Sequence, residues 1–254
     1  MSRHYPYKWV SFRSASTLIG LIGEEKKTIP YASPDQVDPP AQQSAAYESQ
    51  PSNNSGLITH GKDASFTEAR AVYDRGDYAQ ALKIIRPLAE QGYAEAQNFI
   101  GNMYHNGRGV TQNYQEALKW YRLAAAQGFA KAQYNRGIMY YQGFGVTQNY
   151  QEALKWHRLA AAQGFALAQN NIGWMYHEGQ GVTQNNQEAV KWLKLSAVQG
   201  ERNAQTNIGY MYLNGYGVTQ NYQEALKWFR LAAAQGEPYA IEHLENYRNG
   251  VWVR

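Results

Sequence analysis

The sequence predicts an all-α chain: an α/α superhelical solenoid of about five helical hairpins followed by a C-terminal capping helix. Three observations predict it. The stretch Gly109 to Gly128, GVTQNYQEALKWYRLAAAQG, returns at Gly145, Gly181 and Gly217 with a spacing of 36 residues each time. A fixed period in that range marks a stacked array in which each unit relies on its neighbours to bury its apolar face. Within each unit two helical patterns alternate with glycine-bearing turns, and the units at the two ends depart from the rest as caps do.

The first 60 residues differ from the remainder. In 1–30, Arg3, Lys8 and Arg13 precede a weakly apolar run, Ser14 to Gly23, in the order of charges of an export signal. That run is short, diluted with Ser and Thr, and followed by no small-x-small cleavage motif. No apolar run in the chain approaches the roughly 18 residues of a membrane span. Residues 31–63 are rich in Pro, Ser, Gln and Asn, with Pro39-Pro40 and Asn53-Asn54, and read as a flexible linker.

From Ala64 the helical period takes over, and the solenoid is expected over 64–250. Ala64 to Arg75 and Tyr78 to Gln91 form a shortened first hairpin, 64–92, joined by Arg75-Gly76-Asp77. That tripeptide also spells an integrin-recognition motif, but glycine in a tight interhelical turn accounts for it. Pro87 falls inside the second helix and should bend it. Four full units follow, 93–128, 129–164, 165–200 and 201–236. In each, helix A carries A-Q-x-x-x-G-x-M-Y, as in Ala96 to Tyr104, and closes at Gly107, Gly143, Gly179 or Gly215. The loop G-V-T-Q-N leads into helix B, where Glu116, Lys119 and Arg122 share a solvated face. The cap, 237–250, is a helix A without a helix B; Glu245 and Ile241 replace the usual Gly and Gln.

Composition removes several classes of function. The chain has no cysteine, so it has neither a disulfide framework nor thiolate metal ligands. The net charge of +4 is spread thinly along it, and no basic stripe for nucleic acid emerges. His105 and His177 are equivalent positions two units apart, His157 lies on helix B, and no carboxylate at ligand spacing accompanies them, so no metal site is expected. Gly107-x-Gly109 lacks the further glycines and the Lys of a phosphate loop. With no S-x-x-K and no G-x-S-x-G, the sequence offers no catalytic residue and no cofactor site, and it does not read as an enzyme.

The repeats resemble the Sel1-like family, relatives of the tetratricopeptide repeats. The carriers are Ala96-Gln97, Gly101, Met103-Tyr104, Gly107-x-Gly109-Val110, Ala117, Trp120 and Ala124-Ala125, recurring from unit to unit over about 64–250. The resemblance implies a right-handed superhelix of antiparallel helix pairs, with helix A on the inner surface, and a role as an adaptor in protein complexes. Some secreted bacterial members are cysteine-rich and linked to β-lactam binding or hydrolysis. This chain lacks those cysteines, which argues against a hydrolase; a purely structural spacer is a further alternative.

The copies can be compared with one another. On a helical wheel of about 100° per residue, the constant positions of helix A (Ala96, Gln97, Ile100, Gly101, Met103, Tyr104) occupy one arc. Those that change (Glu95, Asn98, Phe99, Asn102, His105, Asn106) occupy another, without overlap. The constant arc is the expected packing face, and the variable arc is expected to line a concave groove for a protein or peptide partner. The candidate partner-binding residues on it are Tyr134, Asn135, Ile138, Tyr141, Asn171, Trp174, His177, Asn207 and Tyr210. Ile138, Trp174 and Tyr210 share one position, as an apolar line of anchors. Asn135, Asn171 and Asn207 make a ladder able to hold a peptide backbone. The alternative, in which these Asn bond neighbouring helices and the aromatics pack between units, stays open. Trp120, Trp156, Trp192 and Trp228 are expected in the core. Arg136 stands where Ile100, Ile172 and Ile208 stand in the other units, so it snorkels, pairs with an acid, or holds an anion.

Overall fold

The computed structural model describes residues 59–250 and Trp252, and every regular element among them is helical. The helices are α1 (Thr59–Asp74), α2 (Tyr78–Glu90), α3 (Ala94–Asn106), α4 (Tyr114–Ala126), α5 (Ala130–Gln142), α6 (Tyr150–Ala161), α7 (Ala166–Glu178), α8 (Asn186–Ala197), α9 (Arg202–Asn214), α10 (Tyr222–Ala234) and α11 (Pro238–Arg248). Each odd-numbered helix from α1 to α9 packs most extensively on the even-numbered one that follows, and each even one then packs on the odd-numbered helix after it, α10 on α11 included. This is the expected α/α solenoid. The first helix begins at Thr59, so the end of the expected linker, 59–63, is helical instead. The expectations for 1–30 and for the rest of that linker lie outside the described residues.

The boundaries follow from caps. Asn113, Asn149, Asn185 and Asn221 accept backbone N–H bonds from the first turn of helix B, and Gly107, Gly143, Gly179 and Gly215 close helix A at positive φ. The Gln of G-V-T-Q-N ties the loop back to helix A: Gln112 Nε2 donates to the His105 carbonyl at 2.8 Å, and Gln148, Gln184 and Gln220 repeat the bond. In the first hairpin Gly76 turns at φ 87° and Asp77 caps α2 by accepting from Gln80 N–H, which fits the turn reading of that tripeptide.

Two glutamines explain the A-Q and Q-G motifs. Gln127 Nε2 donates to Gln97 Oε1 at 2.8 Å, and equivalent bonds join Gln163 to Gln133, Gln199 to Gln169 and Gln235 to Gln205. Gln97 in turn donates to the Ala89 carbonyl of the preceding hairpin at 3.0 Å. One buried amide thus joins its own helix B to the previous one and leaves few polar groups unpaired at the junction.

Gly101 and its equivalents allow a close approach by one side chain. A Cβ on Gly101 would fall 2.5 Å from Tyr121 Cε1, on Gly137 2.5 Å from His157 Cε1, and on Gly209 2.9 Å from Phe229 Cε1. Two of the later copies of the constant block differ from the first at this ring position alone. The glycine makes a pocket that a phenol, an imidazole or a phenyl ring can fill. Burial holds the His157 imidazole in its neutral form, its pKa pushed down to about 3. The capping helix α11 has Glu245 at this position, and no helix B follows it among the described residues.

The four tryptophans are half-buried, and Trp120, Trp156 and Trp228 pack against the core clusters, as expected, without being fully enclosed. Trp156 packs over Ala124, Ala125 and Ala132. Its face also accounts for Arg136, whose guanidinium carbon lies 3.8 Å from the indole centroid. No acid pairs with Arg136 among the described residues, and its buried Nε has no hydrogen-bond partner there. The stacking is worth about 0.5–2 kcal/mol, whereas burying an isoleucine is worth about 1.5–3 kcal/mol, and the orphaned Nε adds a penalty to the native state. Arg136→Ile should therefore raise the melting temperature by roughly 2–4 °C, about 1 kcal/mol for an array of this size. A fall of that size in a thermal melt followed by circular dichroism would show that the stacking on Trp156 outweighs burial.

Candidate functional site

The fold closes over most of the predicted groove. Tyr134, Asn135, Ile138, Tyr141, Asn171, Trp174, His177 and Asn207 are buried, contrary to the expected exposure, and Tyr210 alone of the nine candidates is partly exposed. The physical reason is the stack itself, since a helix A meets neighbouring A helices as well as its own helix B. Asn135 Nδ2 donates to Asn98 Oδ1 at 2.9 Å and to Asn102 Oδ1 at 3.2 Å, and Asn207 Nδ2 donates to Asn170 Oδ1 at 2.9 Å. Between them the Asn171 side chain meets the Tyr134 hydroxyl, whose pKa burial pushes up. The ladder is thus a clamp between successive A helices. Ile138 belongs to the interior, and the Tyr134 ring packs against Phe165 at 5.2 Å and His157 at 5.5 Å.

Towards the loop end of helix A the remaining candidates come together. The Trp174 and His177 rings lie 4.8 Å apart, His177 and Tyr210 6.3 Å, His177 and Tyr216 5.2 Å, and Tyr210 and Tyr216 5.8 Å. Trp174 and His177 form the floor, Tyr210 is half-buried, and Tyr216 is 38% exposed. His177 Nδ1 and Asn186 Oδ1 are 2.7 Å apart, which orients the ring, and the Glu178 carboxylate stands 3.7 Å from Nε2 at the exposed rim. Tyr141 lies one hairpin away and donates from its hydroxyl to Gln180 Oε1 at 2.6 Å.

Tyr216 was not among the predicted residues, and its position carries information. It is the x of G-x-G, and in each unit that residue docks on the preceding hairpin. Arg108 donates to the Tyr73 hydroxyl at 2.8 Å and lies over the Tyr73 and Tyr78 rings. Phe144 stacks on Tyr114 at 4.7 Å beside His105. Gln180 accepts from Tyr141, and Tyr216 meets His177. Trp252, 36 residues beyond Tyr216, packs against Tyr222 at 6.2 Å and so continues the series past the capping helix. The signal was available in the sequence: four different residue types occupy one position of an otherwise constant loop.

Among the described residues no cluster of acids and histidines could hold a metal ion, and no helix is long and apolar enough to cross a membrane. The Sel1 repeat pattern matches residues 94–129, 130–165, 166–201 and 202–237. The chain belongs to the Sel1 repeat family. Solved structures agree. A Sel1 repeat protein from Oxalobacter formigenes is 36% identical, with a TM-score of 0.64, over 69% of this chain and 70% of its own. A protective antigen of uropathogenic Escherichia coli with the same fold is also 36% identical at a TM-score of 0.64; the match covers 72% of this chain but 40% of the antigen. An immunity protein from Pseudomonas aeruginosa, 23% identical with a TM-score of 0.53 over 71% of this chain and 68% of its own, shares the fold. No curated protein sequence matches the chain. Sel1 repeat proteins generally mediate protein–protein interaction and are typically non-enzymatic scaffolds.

Proposed function

We propose that this Sel1 array is a non-enzymatic adaptor that holds a segment of a protein partner across the junction of its third and fourth full units. Trp174, His177, Tyr210 and Tyr216 are the anchors, with Glu178 at the rim. The observation that supports this reading is the ring cluster itself, contributed by two units and one loop and open to solvent at Tyr216 and Tyr210. Aromatic residues of this kind carry most of the energy in protein interfaces. The interior residues Asn171 and Asn207 contribute by fixing the A helices beneath, and Tyr134, Asn135 and Ile138 do the same one unit earlier.

The test uses the two open rings, because truncating the buried ones would perturb the fold. Tyr210→Ala with Tyr216→Ala should leave helicity unchanged by circular dichroism. The proteins captured from the native cell, quantified by mass spectrometry, should fall at least tenfold for the true partner, as expected for losing about 2 kcal/mol of anchor energy. Identical capture by both proteins would place the binding surface elsewhere.

A further inference from the structure

A second surface lies on the side of helix B that faces away from helix A. In α4 the buried positions Ala117, Tyr121, Ala124 and Ala125 lie on one side, and Lys119, Leu123 and Ala126 lie roughly opposite at about 100° per residue. Leu123, Leu159, Leu195 and Leu231 are 50%, 43%, 50% and 50% exposed. The exposed residues Ala126, Ala162, Val198 and Ala234 follow three positions later. A single exposed leucine is ordinary. Four at one register of the stack, one per unit, repeat the same exposed apolar side of helix B, and recurrent exposed apolar surface marks interaction sites.

The most diverged copy of the constant block tells against mere inheritance. The copy starting at Gly181 has changed at six positions, yet Leu195 is retained and the neighbouring alanine has become the larger Val198. The flanking cation is retained too, as Lys194 in place of Arg.

Charge identifies what fits there. In each helix B the acid is used internally, Glu116 pairing with Lys119, Glu152 with Lys155, Glu188 with Lys191 and Glu224 with Lys227. The second cation, Arg122, Arg158, Lys194 or Arg230, forms no ion pair among the described residues. Each leucine thus follows in sequence a cation whose charge no acid offsets, although Arg158 donates to the Tyr176 hydroxyl at 2.9 Å and Lys194 lies over the Tyr212 ring. Two copies of this chain placed face to face along this side would set those cations against each other. We infer that the face docks an amphipathic helix of a partner protein, its apolar side on Leu123, Leu159, Leu195 and Leu231 and its margins lined with Asp and Glu.

The test is direct binding to the full chain, read by fluorescence anisotropy. The probes are two synthetic helical peptides with the same leucine face, one flanked by Glu and the other by Lys. The Glu peptide should bind saturably, the Lys peptide should not, and the affinity should weaken with added salt. Leu159→Ser with Leu195→Ser should weaken binding at least tenfold with unchanged circular dichroism, since both side chains are already half in water. Tyr210→Ala with Tyr216→Ala should bind the Glu peptide as the parent does, which separates this surface from the ring cluster. The inference is overturned by failure of the Glu peptide to bind, by equal binding of both peptides, or by indifference to the leucine substitutions. It is overturned as well if sedimentation shows a self-associated form that the leucine variant loses, or if anionic vesicles bind while the peptide does not.

Discussion

Gly217→Ala is expected to destabilise the array by at least 3 kcal/mol, against about 1 kcal/mol for Gly200→Ala. Both glycines have positive φ, 69° and 91°, so both substitutions incur the same backbone strain. They differ in what surrounds them. A Cβ at Gly200 would meet nothing within 4 Å, whereas one at Gly217 would lie 2.2 Å from the Asn186 carbonyl oxygen and 2.3 Å from its carbon. Backbone cannot rotate away as a side chain can, so the loop of the fourth unit must part from the start of α8. The apolar contacts of that junction then open, with the cavity cost that packing defects carry. Because Asn186 also holds His177 and Tyr216 covers that ring, the same variant should disorder the ring cluster. Urea unfolding of the two variants side by side decides the point: equal midpoints would mean that the close approach between units does not constrain the chain.

Acid should weaken the array through His157, and His157→Phe should remove that weakness. The imidazole is buried, with its pKa pushed from 6.5 down to about 3. The native state therefore binds fewer protons than the unfolded chain between those values, so stability is full above pH 6.5 and declines as the pH falls towards 3. At pH 4 the deficit is on the order of 3 kcal/mol, or roughly 6–12 °C in melting temperature for an array of this size. Phenylalanine is the informative replacement because Phe229 already fills the equivalent pocket against Gly209. At pH 7 the variant should melt within a few degrees of the parent, and the gap should widen in its favour on acidification. Glu201 works in the opposite sense. Burial pushes its pKa up to about 7, so its contribution falls as the pH rises from 4.5 to 7. Comparing parent and variant at each pH cancels this common term. A constant gap from pH 7 to pH 4 would refute the assignment to His157.

The architecture was legible because a period needs no propensity: the 36-residue register located the hairpins, and the glycines located the helix ends. The site was less legible, for a reason seen in the Asn ladder. Variation among copies does not mean exposure: positions 98, 134, 170 and 206 hold Asn, Tyr, Asn and Thr deep in the stack. Asn98, Tyr134 and Asn170 each meet an asparagine of the next unit, which can accept or donate and so serves an amide or a phenol equally, while Thr206 meets Glu237. Trp174, His177 and Tyr210 lie towards the loop end of their helices, where the first two are buried beneath the partly exposed Tyr210 and Tyr216. Tyr216 is hidden in the sequence because it stands between the two constant glycines of G-x-G, outside either helical pattern.

That middle letter gives the units an order. Three of the four blocks are almost the same text, but the side chain at 108, 144, 180 or 216 reads the hairpin before it: Arg108 suits two phenols, Phe144 a flat ring pair, Gln180 a hydroxyl donor, Tyr216 a histidine. Excising 129–164 in register would preserve every turn and helix, yet it would set an amide against His105 and Tyr114 where a phenyl ring now stacks. The modules are alike as parts but keyed as neighbours, so removing, duplicating or reordering a unit leaves a mismatched junction that only a change at this one letter repairs.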